Sequence, residues 1–166
     1  MDEKKKKKLK SSDGKEIEVE HSLLEKSKLL KGLLEDYQGD EDVIPLNEVD
    51  AENLGYVIEY LEHYKDKEPK EYEKPFPENA DDNFLKSIYD DDWTYDFVKN
   101  KLSIEKSINL INAANYLQID GLINVLAGYI AWELTNCSVE EAKKKFQIED
   151  DMTEEEKAEY DKYPLD

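Results

Sequence analysis

The stretch 120–134 constrains the fold more than any other. It reads Asp-Gly-Leu-Ile-Asn-Val-Leu-Ala-Gly-Tyr-Ile-Ala-Trp-Glu-Leu. Asp120 is placed to cap a helix that runs to about Leu134. Leu122, Ile123, Val125, Leu126, Tyr129, Ile130 and Trp132 cover more than one side of that helix. A helix that is apolar nearly all round must be buried from several directions, or it presents a surface to a partner. The rest of the chain has to supply that cover or leave it to another molecule.

The N-terminal third supplies a small sheet. Ser12-Asp13-Gly14 is a hairpin turn signal, with a short strand holding Leu9 before it. Glu16-Ile17-Glu18-Val19-Glu20 alternates with period two, so Ile17 and Val19 share one face of a second strand. Leucines at 23, 24, 29, 30, 33 and 34 predict one helix over 23–36. Gly32 within it costs about 1 kcal/mol relative to alanine, which a close packing contact would explain. Val43-Ile44-Pro45-Leu46 reads as a short strand, placed by its proline at an edge or end. Asp50 caps a helix whose Leu54, Val57, Ile58 and Leu61 form one stripe ending near Tyr64. The order β-β-α-β-α predicts a small α/β layer with three strands.

Residues 67–92 hold prolines and aspartates and predict a mobile loop, with Phe84, Leu85 and Ile88 marking one transient helix. Trp93, Phe97 and Val98 return to the core. Ser103 caps a helix to Leu117, with Ile104, Ile108, Ile111 and Ala114 expected on its buried side. Ser138-Val139-Glu140-Glu141 and Thr153-Glu154-Glu155-Glu156 are capping boxes that open two short helices. The expected fold class is therefore α+β, a three-stranded α/β part followed by a C-terminal helical extension. The boundaries are 1–7 for a lysine-rich arm, 8–66 for the α/β part, 67–92 for the loop, 93–134 for the remaining core helices and 135–166 for the extension.

Chemistry is sparse. The 166 residues carry 42 acids and 23 bases, a net charge of −19. Every base is lysine. Arginine provides the forked donor that grips phosphate and guanine, and an acidic chain is repelled by nucleic acid, so no nucleic-acid partner is expected. The Lys4–Lys8 run reads as a solvated arm. His21 and His63 lie in no metal-binding spacing, Cys137 stands alone, and no phosphate-cradling glycine motif is present. The acids Asp90, Asp91 and Asp92 lack the order of a calcium loop and read as solvated. No catalytic residue, metal or cofactor is expected. No apolar run approaches the roughly 20 residues needed to span a bilayer, and Met1–Lys10 lacks a secretory signal's apolar centre. No membrane partner and a cytoplasmic or nuclear place follow as expectations. Tyr56, Tyr60 and Tyr64 either rim the core or serve an interface.

Several segments in order carry a resemblance. They are Leu9-Lys10-Ser11-Ser12-Asp13-Gly14, Ile44-Pro45-Leu46, His63-Tyr64-Lys65-Asp66, Ala113-Ala114-Asn115-Tyr116-Leu117-Gln118-Ile119-Asp120-Gly121-Leu122, Phe146-Gln147-Ile148 and Met152-Thr153-Glu154-Glu155-Glu156. From about residue 8 to 162 the chain resembles the S-phase kinase-associated protein (Skp) adaptor family of SCF ubiquitin ligases. The resemblance implies a BTB/POZ-type fold with a C-terminal helical extension. It implies a non-catalytic adaptor that bridges a cullin and an F-box protein in ubiquitin-dependent degradation. It places the cullin contact at Asn115 and Tyr116. It places the F-box contact at Leu122, Val125, Leu126, Tyr129, Ile130, Phe146, Ile148 and Met152, with Tyr163 standing where the family often has a tryptophan. The alternative is a BTB/POZ-type or elongin-C-like module that self-associates or binds other partners. A homodimer in the absence of an F-box protein belongs to the same picture.

Overall fold

The computed structural model describes residues 5–37, 39, 43–89, 91–149, 151–160 and 162, with the backbone alone at 160. The chain divides into two compact units, Met1–Asn136 and Cys137–Asp166.

In the first unit, β1 (Lys6–Lys10) and β2 (Glu16–Glu20) form an antiparallel hairpin, and β3 (Val43–Pro45) adds to β1 in parallel. The order is β2-β1-β3, so the proline-ended strand lies at an edge. Gly14 closes the hairpin at φ 84, a left-handed angle that an L side chain resists. Its neighbour Asp13 accepts the Ser11 hydroxyl at 2.6 Å and the Ala51 N–H at 2.9 Å, tying the turn to the next helix. The pleat gives the lysine run a role. Lys6, Lys8 and Lys10 lie opposite Glu20, Glu18 and Glu16 across the strand pair. Such opposed charges favour this register by a few tenths of a kcal/mol each. Lys7 and Leu9 point the other way and are buried. Lys6 and Lys7 thus belong to a central strand, where the sequence predicted an arm; cross-strand glutamates and an inward partner for Lys7 draw them in. Lys4 lies outside the described residues.

The helix expected over 23–36 is two helices, α1 (His21–Leu24) and α2 (Lys28–Asp36). Ser27 separates them with an extended backbone. Its hydroxyl accepts the Leu30 N–H at 3.1 Å and donates to the Leu117 carbonyl at 2.5 Å. A buried cap that also satisfies a distant helix end outweighs the continuity of the leucine pattern. A Cβ at Gly32 would meet nothing within 4 Å, so no packing contact explains that glycine.

Helix α3 (Ala51–His63) starts at Asp50, whose carboxylate accepts the Asn53 N–H at 2.8 Å. Leu54, Val57 and Leu61 are buried as the stripe predicts, and so are Tyr60 and Tyr64. Those two tyrosines are core residues. Helix α4 (Asp82–Ile88) and α5 (Asp92–Asp96) follow, then a π-helical turn, Phe97–Lys101. Helix α6 (Ile104–Leu117) is capped by Ser103. Its buried side is Ser107, Leu110, Ala113, Ala114 and Leu117, while Ile104, Ile108 and Ile111 are only half-buried. The buried face is thus rotated from the predicted one and shares Ala114 with it; Ser107 can turn inward because its hydroxyl donates to the Ser103 carbonyl at 3.0 Å.

The apolar helix α7 (Asp120–Thr135) receives its cover from within this unit. Leu122, Val125, Leu126, Tyr129 and Trp132 are all buried. Asp120 is the first residue of α7 and not its cap; its carboxylate pairs with Lys28 at 2.5 Å. Ile119 precedes it without a side-chain cap. The stretch 67–92 is expected to be a mobile loop, but its residues 67–89 are a strap bonded along α7. The Tyr72 hydroxyl donates to the Asn124 carbonyl at 2.6 Å, and the Tyr89 hydroxyl to Val125 at 2.9 Å. The Trp132 indole N–H donates to Asp81, and the Asn136 amide to Ala80. Asp81 in turn caps α4 through the Phe84 N–H, so α4 is a stable helix with Leu85 and Ile88 buried. Replacing Tyr72 with phenylalanine is expected to cost about 1 kcal/mol in urea unfolding, the typical worth of one such bond.

The second unit is described by itself. Helix α8 (Val139–Lys145) opens with the reciprocal Ser138–Glu141 capping box. Helix α9 (Glu154–Tyr160) opens with the matching Thr153–Glu156 pair, in which Glu156 accepts both the Thr153 N–H and hydroxyl at 2.8 Å. Among its described residues no side chain is buried.

Candidate partner surfaces

Asn115 and Tyr116 sit on the last turn of α6. Asn115 is exposed, and Tyr116 is half-buried with its ring against the core. Gln118 takes the left-handed conformation at φ 55 and ends the helix just beyond them, so both are held at a firm corner. Ile104, Ile108 and Ile111 recur at helical spacing in line with Asn115. All three isoleucines are partly buried, and Ile104 and Ile111 pack against the core. The sequence places them inside; they lie instead at the border of the core, in a row that ends at Asn115.

The residues expected on the F-box side divide. Leu122, Val125, Leu126 and Tyr129 are buried in the first unit and are not available to a partner. Their burial holds α7 in place, because the strap and α6 take the faces that the sequence left unassigned. Ile130 is half-buried on the outer side. There it joins Ile123, Ala127 and Leu134, spaced four, three and four residues apart on one face. Leu134 is 44% exposed. The helical period through Ile130 would have found this second stripe, had the register of the buried face been known. In the second unit, Ile148 is 56% and Met152 38% exposed, Val139 is exposed, and Phe146 is half-buried. Tyr163 lies outside the described residues.

One polar cluster ties α3 to α5. His63 and Asp91 lie 2.8 Å apart. The imidazole is stacked on Trp93 at 3.9 Å between centroids, with Tyr64 at its edge. Asp91 caps α5 through the Thr94 N–H and also accepts the Thr94 hydroxyl, both at 2.8 Å. The Tyr64 hydroxyl donates to Thr94 at 2.6 Å, and Thr94 is fully buried. Burial works to raise the Asp91 pKa. The Lys67 ammonium, the Thr94 N–H, His63 and the Thr94 hydroxyl outweigh it and hold the carboxyl well below the usual range. This network locks α3 to α5. Asp90, in the same acidic run, lies outside the described residues. No helix among the described residues is long and apolar enough to cross a membrane.

Two family domains match the chain. The Skp1 family tetramerisation domain matches residues 5–66, and the Skp1 family dimerisation domain matches residues 120–162. An S-phase kinase-associated protein 1 homolog of Tetrahymena thermophila is 34% identical over 151 residues, 91% of this chain and 87% of the relative. This chain belongs to the Skp1 family. An E3 ubiquitin ligase complex SCF subunit sconC of Talaromyces marneffei is 35% identical over 148 residues, covering 89% of this chain and 88% of that protein. The sconC protein of Aspergillus flavus is 35% identical over 146 residues, 88% and 86% of the two chains. The sheet with its helices is the POZ-type part of a Skp1 family member, and the helical C-terminal region follows it.

Proposed function

We propose that this Skp1 family chain is a non-catalytic adaptor that joins a cullin scaffold to F-box substrate receptors in an SCF-type ubiquitin ligase. The observation that carries the reading is the second unit. It is a well-capped pair of helices with no buried side chain among its described residues, and it exposes Val139, Ile148 and Met152. Helices without a core of their own gain stability by burying such residues against another chain. The relatives named as SCF subunits give that chain its class. F-box contacts are assigned to each unit by itself: the outer α7 residues Ile123, Ile130 and Leu134 in the first, and Phe146, Ile148 and Met152 in the second. Asn115, Tyr116 and the partly buried isoleucines of α6 form the cullin side. The adaptor works in the cytoplasm or nucleus, without nucleic acid or membrane.

The test is capture of purified partners on the immobilised full chain. Asn115→Lys together with Tyr116→Lys is expected to weaken cullin binding at least tenfold and leave F-box binding unchanged. Ile148→Asp with Met152→Asp is expected to do the reverse. Cullin and F-box binding that survive both pairs at wild-type strength would overturn the assignment. The match to a dimerisation domain over 120–162 favours a second state, a homodimer through the same exposed residues. Sedimentation of the chain alone should then show a dimer that an F-box domain converts to a heterodimer.

A further inference from the structure

The strap leaves an open groove beside α7. Pro69 lies over Gly121, and Tyr72 lies over Gly128. The two glycines are two turns apart on the same side of the helix. A Cβ at Gly128 would stand 3.0 Å from the Tyr72 ring. Glycine there lets the strap approach α7 closely enough for Tyr72 to reach the Asn124 carbonyl. Phe76 is fixed edge-on to Phe84 at 5.1 Å between centroids. Tyr72, Pro75 and Phe76 thus form a preset wall. Ala127, Ala131 and Thr135 form the floor of a groove of about 350 Å³. The floor stays open because its residues are small, and the Thr135 hydroxyl is turned onto the Ala131 carbonyl at 2.8 Å.

Two observations identify an occupant. Ala127 and Ala131 lie beside Ile130 and Leu134, so the groove continues the exposed apolar stripe of α7. Lys74 lines the mouth, with its ammonium 5.5 Å from the Tyr72 ring centre. An apolar slot with a cation at its mouth fits a bulky apolar side chain that has an acidic neighbour. We propose that this groove accepts one leucine or phenylalanine side chain, flanked by an acid, from the helix of an F-box receptor, and so selects among receptors. The inference rests on the adaptor reading.

Calorimetric titration of the full chain with a purified F-box domain tests it. The domain is used as wild type and with each outward leucine or phenylalanine of its binding helix changed in turn to alanine. Ala131→Trp fills the groove from an exposed position, and Phe76→Ala removes a wall. The expected result is at least tenfold weaker binding for Ala131→Trp, with unchanged thermal unfolding. One receptor leucine or phenylalanine should be non-additive with both variants. Lys74→Glu should weaken only receptors with the acidic neighbour. Wild-type affinity in Ala131→Trp, or additivity at every receptor position, overturns the groove and leaves the adaptor reading standing. A wild-type chain that binds no F-box domain overturns both.

Discussion

Replacing Lys7 with methionine is expected to destabilise the first unit by about 2–4 kcal/mol and to lower its melting temperature by roughly 5–15 °C. The Lys7 ammonium donates to the Tyr37 carbonyl at 2.8 Å and the Gly39 carbonyl at 2.7 Å. Lys7 is only 4% exposed. Tyr37 is the C-cap of α2, where carbonyls lack intrahelical partners and a cation is favoured by the helix dipole. Methionine keeps the length and most of the apolar stem, so the loss reports the two charged hydrogen bonds and not a cavity. Lys6→Met is the comparison. It removes a charge of the same strand from the exposed side, opposite Glu20, and should change stability by less than about 1 kcal/mol. Equal midpoints for the two variants in urea unfolding would show that the inward pairing of Lys7 contributes nothing.

Asp91→Ala is expected to cost a similar amount, about 2–4 kcal/mol, because one carboxylate serves three elements. It caps α5, receives His63 from the end of α3, and pairs with Lys67 at the start of the strap. Its pKa is lowered on folding, which fixes the sign of the pH dependence. The stabilisation is present above the ordinary aspartate range. It is lost as pH falls through that range toward the lower folded value. Urea unfolding of wild type and Asp91→Ala should therefore differ most at pH 6–7, and the difference should begin to shrink as pH falls below about 4. A difference that grows on acidification would contradict the account.

Both effects arise at residues that the sequence reading passed over for physical reasons. Lys7 sits in a lysine run whose members look alike until the pleat separates them. Asp91 sits in an acidic run where solvation is the ordinary state. In each case one member is selected by a partner 28 to 32 positions away in the chain, a distance that no local pattern encodes. The same holds for Ser27, whose hydroxyl bonds Leu117 across 90 positions and breaks a helix that the leucine spacing continues. The surfaces follow suit. The α6 stripe and the outer α7 stripe each lie a fraction of a turn from where periodicity put them. When apolar residues exceed one face, the pattern cannot say which of them faces inward.

The sequence by itself determined the hairpin, the edge strand, the capped starts of α3, α6, α8 and α9, and membership of an adaptor family. Those features rest on local chemistry: alternation, a turn glycine, a side-chain oxygen three residues before a free N–H. Only the tertiary structure decided what covers α7. Residues 67–89 read as loop because their prolines and acids form no periodic pattern. Their backbone and tyrosine hydroxyls nevertheless find partners along α7, and two glycines there let them in. That cover turns most of the apolar helix into core and leaves one narrow outer stripe, with its groove, uncovered by the strap.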